Sequence, residues 1–517
     1  MKERYSGPVN TITLLIQVDN NEKQRIEKAF SALSRVHNDL VARIKIIMFA
    51  LSGDKEYTVL QSQYAELKKK SETNPSVESK LNSVKRKLKS IQKKYGLYKY
   101  NIEKMVSQTG KRYSKILSSQ QIQKEADRVW TGVEKVLYGN GKEIHFKRRY
   151  DFDTISGKSN NNGAKFDKNT CTFDWMGHKY KCRYPGNSSR EKIQNYVNAC
   201  LSYDISYCEI KRQMFSTGWR YYLIVYYRGS SPIVKEHASD GISGIDMGTS
   251  TVAAYCAKKA FLEILAPDVT RYDEEINRLT QKMEMSRRIS NPGKFKPDGT
   301  YIKNSKKIRW KFSKNYWKYR NRRKALFRKR SQYITHSHNH LANLLLRHAI
   351  HFIVEKMSFQ GLAKRSKETR KSSKPKLITD KHGFARMVCS YARKKRFGHS
   401  ILIRAPSRFL TTLERKACRY GGDLSRVNTT KFRASQYDHT TDTYTPVKLT
   451  KRDKKIGDIT VQRDLYSAFL LSNSDSGLEK ADRERCSAGF AKFVKLQSQL
   501  IARMKASGIS RKSCFGF

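Results

Sequence analysis

The spacing of apolar positions changes twice along the chain, and each change predicts a different kind of structure. Residues 11–18 alternate apolar and polar side chains, as a β-strand with one buried face does. From residue 21 the apolar positions recur every three or four residues, which predicts a long amphipathic helix. A second helical pattern over residues 81–95 carries Lys and Arg on its outer face. These patterns together indicate a helical lobe with a basic surface.

Between residues 144 and 234, apolar side chains recur at every second position. Trp219, Tyr221 and Leu223, for example, alternate with polar or outward positions, so this region is predicted to be rich in β-strands. Residues 229–240 contain Gly, Ser and Pro and form the best candidate for a linker. We therefore expect a new domain to start near Asp240.

The composition of the chain also predicts the kind of partner that it binds. Apolar residues make up 38% of the 517 positions, enough to build cores, but 105 Lys and Arg face only 46 Asp and Glu, a formal charge of +59. A compact state with this charge repels itself unless a polyanion neutralises it, so nucleic acid is the expected partner. Ribosomal and chromatin proteins are equally basic, but they are seldom this long or this rich in Tyr and Trp.

Residues 301–330 concentrate the basic and aromatic character. They hold fourteen Lys or Arg, seven aromatics and no acid. Cations hold phosphates and rings stack on bases, so this mixture suits a groove that follows a nucleic-acid strand. The alternative is a solvated basic helix whose aromatic side chains face the core.

The remaining composition limits location and metal chemistry. No segment is long and apolar enough for a membrane span and no signal peptide is evident, so we expect a cytoplasmic, nucleoid-associated prokaryotic protein without a membrane partner.

The nine cysteines form no Cys-x-x-Cys pair, which argues against disulfides and against a four-cysteine zinc site. His37 lies on an apolar helix stripe and is expected to be a core histidine. His336, His338 and His340 are zinc-ligand candidates, but a helix facing nucleic acid is the preferred interpretation.

Three carboxylates stand out by their contexts. Asp246 ends an apolar strand just before Gly248, Glu355 follows an apolar run that resembles a buried central strand, and Asp464 lies where an apolar helix begins. Singly they could be a turn former, half of an ion pair and a helix cap. Together they suit two-metal phosphodiester hydrolysis, which needs converging carboxylates. We expect Asp246 to bridge two Mg²⁺ ions, with Mn²⁺ able to substitute, and Glu355 and Asp464 to complete one coordination shell each.

The segments around these acids resemble a known family. Residues 244–249 (GIDMGT), 353–357 (IVEKM) and 463–468 (RDLYSA) are similar to the three RuvC motifs of the transposon-encoded TnpB nucleases and of the compact type V CRISPR effectors derived from them. Residues 130–147 resemble the family's junction between helical lobe and β-barrel, and residues 396–399 stand where the family has a helix. The resemblance covers most of the chain and is firmer from Asp240 onward.

This resemblance implies a multidomain α+β fold, in which a wedge β-barrel is interrupted by a helical recognition lobe and followed by an RNase H-like (RuvC) α/β nuclease domain. The expected parts are the first barrel strand (1–20), the recognition lobe (21–140), the wedge barrel (141–234), the RuvC core (240–430), a degenerate zinc-ribbon-like insert (431–460) and the C-terminal part of RuvC (461–517).

The resemblance also implies an RNA-guided DNA endonuclease. Its partners would be a guide RNA, a target DNA duplex and the displaced single strand, and specificity would reside in base pairing. The chain would act as a monomer or a homodimer. The alternatives are an RNA-guided DNA-binding protein or repressor with little cleavage, and a structure-selective resolvase-type nuclease. The candidate nucleic-acid contacts are Trp130, Lys142, Lys147, Lys311, Trp317, Arg322, Arg323, Lys324 and Arg396.

One departure from the family concerns zinc. The family carries two Cys-x-x-Cys pairs shortly before the third carboxylate, and this chain has none. We therefore expect the insert to fold without structural zinc. Asp438, His439 and Asp442 are the alternative ligands there. The side chains expected to replace the metal are Phe432, Tyr437, Tyr444, Val447 and Leu449.

Overall fold

The computed structural model describes most of the chain, which divides into two compact units, residues 1–234 and 235–517. The described residues are 7–71, 75–139, 141–161, 163–184, 191–215, 217–230, 238–297, 299–302, 309–363, 375–379, 385–389, 397–446, 451–508 and 515.

The first unit combines one sheet with a set of helices. Its elements are β1 (Val9–Ile16), α1 (Asn20–Ser52), α2 (Lys55–Ser71), α3 (Glu78–Lys94), α4 (Lys99–Lys111), α5 (Ser119–Leu137), β2 (Thr154–Ser156), β3 (Ala164–Asp167), β4 (Thr172–Trp175), β5 (His178–Arg183), α6 (Glu191–Leu201), β6 (Asp204–Phe215) and β7 (Gly218–Arg228).

The first strand of the chain lies in the middle of this sheet. The strand order is β2-β6-β7-β1-β5-β4-β3, and all neighbours are antiparallel. The five helices α1–α5 are thus inserted between β1 and the other six strands. A capping box starts α1, because Asp19 accepts a hydrogen bond from the Glu22 amide while Glu22 accepts one from the Asp19 amide. One continuous apolar core contains side chains from the sheet and from these helices.

His37 is a core histidine, as its position on the stripe of α1 predicts. The side chain is buried, its Nδ1 lies 2.7 Å from the Glu125 carboxylate, and its Nε2 lies 3.2 Å from the carbonyl of His145. Both ring nitrogens therefore have partners within the first unit, and the residue ties α1 to α5.

The second unit is built on another sheet with helices on both faces. Its elements are β8 (Ile242–Met247), β9 (Thr251–Cys256), β10 (Lys259–Ile264), α7 (Val269–Ile289), α8 (Lys314–Leu346), β11 (His351–Glu355), α9 (Phe359–Ala363), β12 (Lys376–Thr379), β13 (Ala385–Val388), α10 (Gly398–Arg404), α11 (Pro406–Ala417), β14 (Asp423–Val427), α12 (Thr429–Phe432), β15 (Tyr437–Asp438), β16 (Thr443–Tyr444), β17 (Asp453–Ile456), β18 (Ile459–Gln462), α13 (Arg463–Ser472) and α14 (Arg483–Ala506).

The main sheet of this unit has five strands in the order β10-β9-β8-β11-β14. β8, β9 and β10 form an antiparallel meander, whereas β11 and β14 run parallel to β8. One face packs against α8 and α11, and the other packs against α13 and α14. β8 therefore occupies the centre of the sheet and is covered on both sides.

α13 lies unusually close to β8. A methyl group at Gly244 would overlap the Ala468 carbonyl and the Ser472 amide, so only glycine lets this helix backbone approach the strand. α13 is buried on all sides from Arg463 to Leu471, because α14 covers its outer face. The short helix is therefore fixed directly over the central strand.

None of the helices in the described part of the chain has both the length and the apolar character that a membrane crossing requires.

Candidate active site

Two of the predicted carboxylates lie on neighbouring parallel strands. In β8, Ile245 and Met247 face the α8 side of the sheet, so Gly244 and Asp246 face α13. In β11, Phe352 and Val354 also face α8, so Glu355 faces α13. Ile245 is paired with Val354, which places Asp246 and Glu355 side by side at the ends of their strands.

The third carboxylate lies above them in the first turn of α13. The helix cap is Gln462, whose Oε1 accepts a hydrogen bond from the Leu465 amide at 2.6 Å. Asp464 is therefore not the cap, although a cap is the commonest role of an acid at a helix start. Asp464 lies one turn before Ala468, the residue that contacts Gly244, and so it lies on the side of α13 that faces β8.

The charges of the three acids influence one another. The pKa of Asp246 is raised well above its ordinary value, first by burial, then by the charge of Asp464 and then by that of Glu355. Burial also raises the pKa of Glu355, which accepts a hydrogen bond from the Ala434 amide. The charges of Arg463 and Arg452 act in the opposite direction and lower the pKa of Asp246. The motif contexts thus point to residues that the fold brings together.

Two arginines that the sequence analysis did not single out hold Asp464. Arg452 Nη1 donates to Asp464 Oδ2 at 2.8 Å, and Arg463 donates to Oδ1 through Nη2 at 2.9 Å and Nε at 3.2 Å. Arg463 also donates to the Lys451 carbonyl. Arg463 is adjacent to Asp464 in sequence, but the approach of Arg452 depends on the β17–β18 hairpin, which no local pattern predicts.

The donor set fits hard divalent cations, because all three side chains offer carboxylate oxygens. In the described residues, however, no group of three acidic, histidine or cysteine side chains is gathered closely enough to hold a metal ion. Both oxygens of Asp464 are bonded to arginine, so cation binding there requires an exchange of partners.

The nucleic-acid candidates of the first unit occupy different environments. Trp130 on α5 is half-buried and packs against the core of the unit. Lys142 and Lys147 are exposed, and the Lys147 ammonium lies 5.3 Å from the centre of the Phe152 ring. The main chain of Lys147 is fixed by Asn38. The two lysines are accessible to a polyanion, whereas Trp130 contributes largely to packing.

In the second unit the candidates lie on or just before α8. Lys311 and Trp317 are exposed. Arg322 pairs with Glu275 on α7 at 2.9 Å, and Arg323 donates to Thr280 on the same helix. Lys324 is half-buried. Arg396 lies outside the described residues.

The three histidines of α8 lie in two different environments. His338 is buried against Phe409 and its Nε2 lies 3.0 Å from the Arg404 carbonyl, so it is part of the core and does not face nucleic acid. Burial lowers the pKa of His338 to about 4. His336 and His340, in contrast, are exposed. His336 and His340 are four residues apart and share one face of α8, whereas His338 points towards α11.

The insert is organised by aromatic and polar contacts. Tyr437 is buried and donates to Asp442 at 2.8 Å, while Asp438 accepts hydrogen bonds from Thr440. The buried His439 shares a hydrogen bond of 2.7 Å with the Tyr466 hydroxyl of α13. Of the expected core residues, Phe432 and Tyr437 are buried and Tyr444 packs against them, whereas Val447 and Leu449 lie outside the described residues.

Comparison with known proteins gives only distant similarities. No family model matches the chain, and no curated protein gives a significant match. Among solved structures, the chain is similar to the cryo-EM structure of a Cas12f1–sgRNA–target DNA complex, with a TM-score of 0.42 and 12% identity over 91% of this chain and 99% of that one. It is also similar to a CRISPR-Cas12f ternary complex, with a TM-score of 0.25 and 12% identity over 90% and 99% of the two chains. For a Cas12i1 R-loop complex before target DNA cleavage, the TM-score is 0.24 and the identity is 9%, over 93% of this chain and 65% of that one. Likeness at these scores is too remote to support an argument.

Proposed function

We propose that this protein is an RNA-guided, Mg²⁺-dependent DNA endonuclease that cuts with Asp246, Glu355 and Asp464. One observation supports the proposal: a strand-end Asp, its neighbouring strand-end Glu and a first-turn Asp of α13 lie on the same side of the main sheet, near enough for the charges of two of them to raise the pKa of the third. Such a group of acids is costly to a fold and is typical of sites that bind divalent cations.

The three carboxylates would hold Mg²⁺. When bound, Mg²⁺ polarises the scissile phosphate, activates water and stabilises the leaving oxygen. The chain itself supplies the scaffold: β8 and β11 fix the first two acids on one face, and α13 fixes the third. Arg463, anchored on the Lys451 carbonyl, orients the Asp464 carboxylate.

The partners follow from charge and from the sequence motifs. The formal charge of +59 requires a polyanion. The guide RNA is inferred from the resemblance of residues 244–249, 353–357 and 463–468 to the motifs of RNA-guided nucleases. In that case base pairing reads the target sequence, while the protein reads duplex shape.

A second function is favoured by the partners of Asp464. Because both of its oxygens are bonded to arginine, an RNA-guided DNA-binding protein with little cleavage is the alternative. It predicts the same complexes with RNA and DNA but no metal-dependent cutting.

The Asp246→Asn variant separates the two functions. The variant should keep RNA and DNA binding but lose cleavage by a factor of about 10³ or more, because one ligand charge is lost from the centre of the site. The measurement is the single-turnover cleavage rate of the full-length protein with the RNA that copurifies with it. Asp458→Asn, an exposed acid in the β17–β18 turn, is the matched control and should cleave normally. Equal rates for Asp246→Asn and wild type would refute the assignment.

A further inference from the structure

Six aromatic rings form a continuous cluster, here called the aromatic ladder, between the end of α7 and the first turn of α8. Tyr301 stacks on Trp310 with ring centres 6.0 Å apart and planes 11° from parallel, and Trp310 stacks on Phe312 at 6.5 Å and 13°. Phe312 in turn stacks on Tyr316 at 4.4 Å. The members of the ladder are Phe295, Tyr301, Trp310, Phe312, Tyr316 and Trp317.

The ladder lies far from the catalytic face of the sheet. α7 leaves the sheet after β10 and α8 returns to it at β11, so the segment between these helices is at the distal end of a helical hairpin. The 21 residues of α7 correspond to about 30 Å of helix. The ladder is therefore a surface separate from the carboxylate site.

Three rings of the ladder remain open to solvent. The exposed fraction is 46% for Tyr301, 37% for Phe312 and 39% for Trp317. A cluster that served only to close the hairpin would bury its largest apolar faces. Here the inner rings are half-buried and support outer rings that stay accessible.

Cations surround the rings. Lys294 is buried, with its ammonium 4.5 Å from the centre of the Trp310 ring. The half-buried Arg287 lies 5.0 Å from the same ring, and the half-buried Arg320 lies 5.2 Å from the Trp317 ring. Glu284 neutralises part of this charge by pairing with Arg287 and Arg288. From residue 299 to residue 354, however, the sequence contains no acid. The surface thus combines flat apolar rings with a strongly positive potential.

A groove adjoins the ladder. It has a volume of about 490 Å³ and lies between α7 and α8, where Ser290 and Asn315 provide hydroxyl and amide groups beside the exposed Ile289. The Ser286 and Ser313 hydroxyls also line it and share a hydrogen bond of 2.7 Å. Ser313 and Asn315 flank the ladder residues Phe312 and Tyr316 in sequence. A groove of this chemistry offers hydrogen-bond partners and apolar contact to a ligand that continues past the rings.

We propose that the aromatic ladder is a stacking site for unpaired bases of a DNA single strand. Base–aromatic stacking needs a flat accessible ring, and the neighbouring cations attract the phosphates between the bases. A duplex keeps its bases stacked inside and cannot use these rings. The identification of the strand as DNA rests on the proposed function, in which the displaced strand is the component that stays unpaired over its length.

The first experiment separates stacking from charge. Full-length protein in EDTA is titrated with a 20-nucleotide single-stranded DNA and with an abasic oligonucleotide of equal length and charge. The triple variant Tyr301→Leu, Phe312→Leu, Trp317→Leu should bind the normal strand at least about tenfold more weakly and the abasic strand unchanged. Phe49→Leu, at an equally apolar position of the first unit that is 82% exposed, is the control and should bind both like wild type.

Each other outcome overturns the proposal. Equal losses on both oligonucleotides would mean that the rings only position cations, and unchanged binding of the normal strand would mean that the ladder is no site. A loss confined to a single-stranded RNA of the same sequence would assign the surface to RNA. Because EDTA prevents cleavage, none of these results depends on whether Asp246 is catalytic.

A second experiment uses the unaltered protein, so it does not depend on the folding of a variant. A single strand carrying 5-iodouracil is irradiated in complex with the wild-type chain, and crosslinked peptides are mapped by mass spectrometry. Crosslinks at Tyr301, Phe312 or Trp317 are expected, because halogenated bases couple to rings on which they stack. Crosslinks found only elsewhere would contradict the proposal.

Discussion

Arg452 occupies one of the two carboxylate oxygens of Asp464. Its guanidinium donates to Asp464 Oδ2 and is about one-third exposed, whereas Arg463 is buried and anchored by the Lys451 carbonyl. A cation that binds Asp464 must displace Arg452 rather than Arg463, because the partly exposed Arg452 side chain can turn outward into solvent.

We therefore predict that Arg452→Gln lowers the Mg²⁺ concentration needed for half-maximal cleavage by about twofold to fivefold, the equivalent of losing a competing ion pair worth about 0.5–1 kcal/mol. The measurement is a Mg²⁺ titration of the initial cleavage rate. Arg426→Gln, which breaks the ion pair with Glu414 on the opposite face of the sheet, is the control. A higher Mg²⁺ requirement in Arg452→Gln would mean that the arginine assists the site instead of competing for it.

The position of an individual residue could be predicted from the sequence where it follows from the pattern of apolar and polar residues around it. The strand-end positions of Asp246 and Glu355 could be read from apolar runs and a following glycine. The arginines around Asp464 could not, because Arg452 reaches the site across a hairpin. The burial of His338 could not be predicted either, since it depends on the packing of α11 against α8.

At the scale of elements, the contact between β8 and α13 holds the site together. Gly244→Ala should destabilise the protein by about 3 kcal/mol or more, because the added methyl group meets the backbone of Ala468 and Ser472 and neither can move without shifting α13. Chemical denaturation measures the loss. Gly293→Ala, where a methyl group meets nothing within 4 Å, should change the stability by less than about 0.5 kcal/mol. If both variants were equally stable, α13 would not be fixed over β8 as described.

The insert gives a second prediction at this scale. Tyr437, His439 and Tyr466 link it to α13, and Lys454 donates to the Tyr437 carbonyl at 2.6 Å. We expect these contacts to stabilise the insert in place of a structural zinc, which is worth on the order of 10 kcal/mol to a small module. Protein treated with a zinc chelator should therefore keep its melting temperature, and elemental analysis should find less than one zinc per chain. Stoichiometric zinc whose removal unfolds the second unit would contradict this and redirect attention to Asp438, His439 and Asp442.

Element types were predictable where the apolar period is long and regular. The first strand, the long α1 and β7 follow from their spacing. The order of the strands in the sheet could not be predicted, because β1 pairs with β7 and β5, more than 160 residues away along the chain. Such long-range pairing depends on which apolar faces meet in three dimensions.

At the scale of the whole molecule, two features have to act together for the proposed function. Excess positive charge would gather nucleic acid without reading its sequence, and the three carboxylates would cut it without selecting the position. The division of labour assigns selection to the guide RNA. A nuclease without a guide would show the same metal dependence, so cleavage alone does not distinguish the two.

Reprogramming tests this central claim most directly. The RNA that copurifies with the protein is sequenced, its target-pairing segment is replaced by a new sequence, and the full-length protein is loaded with it in Mg²⁺. We predict that the cut moves to DNA that matches the new segment, and that Asp246→Asn loaded with the same RNA binds this DNA without cutting it. Cleavage that ignores the new sequence, or that persists in Asp246→Asn, would contradict the account.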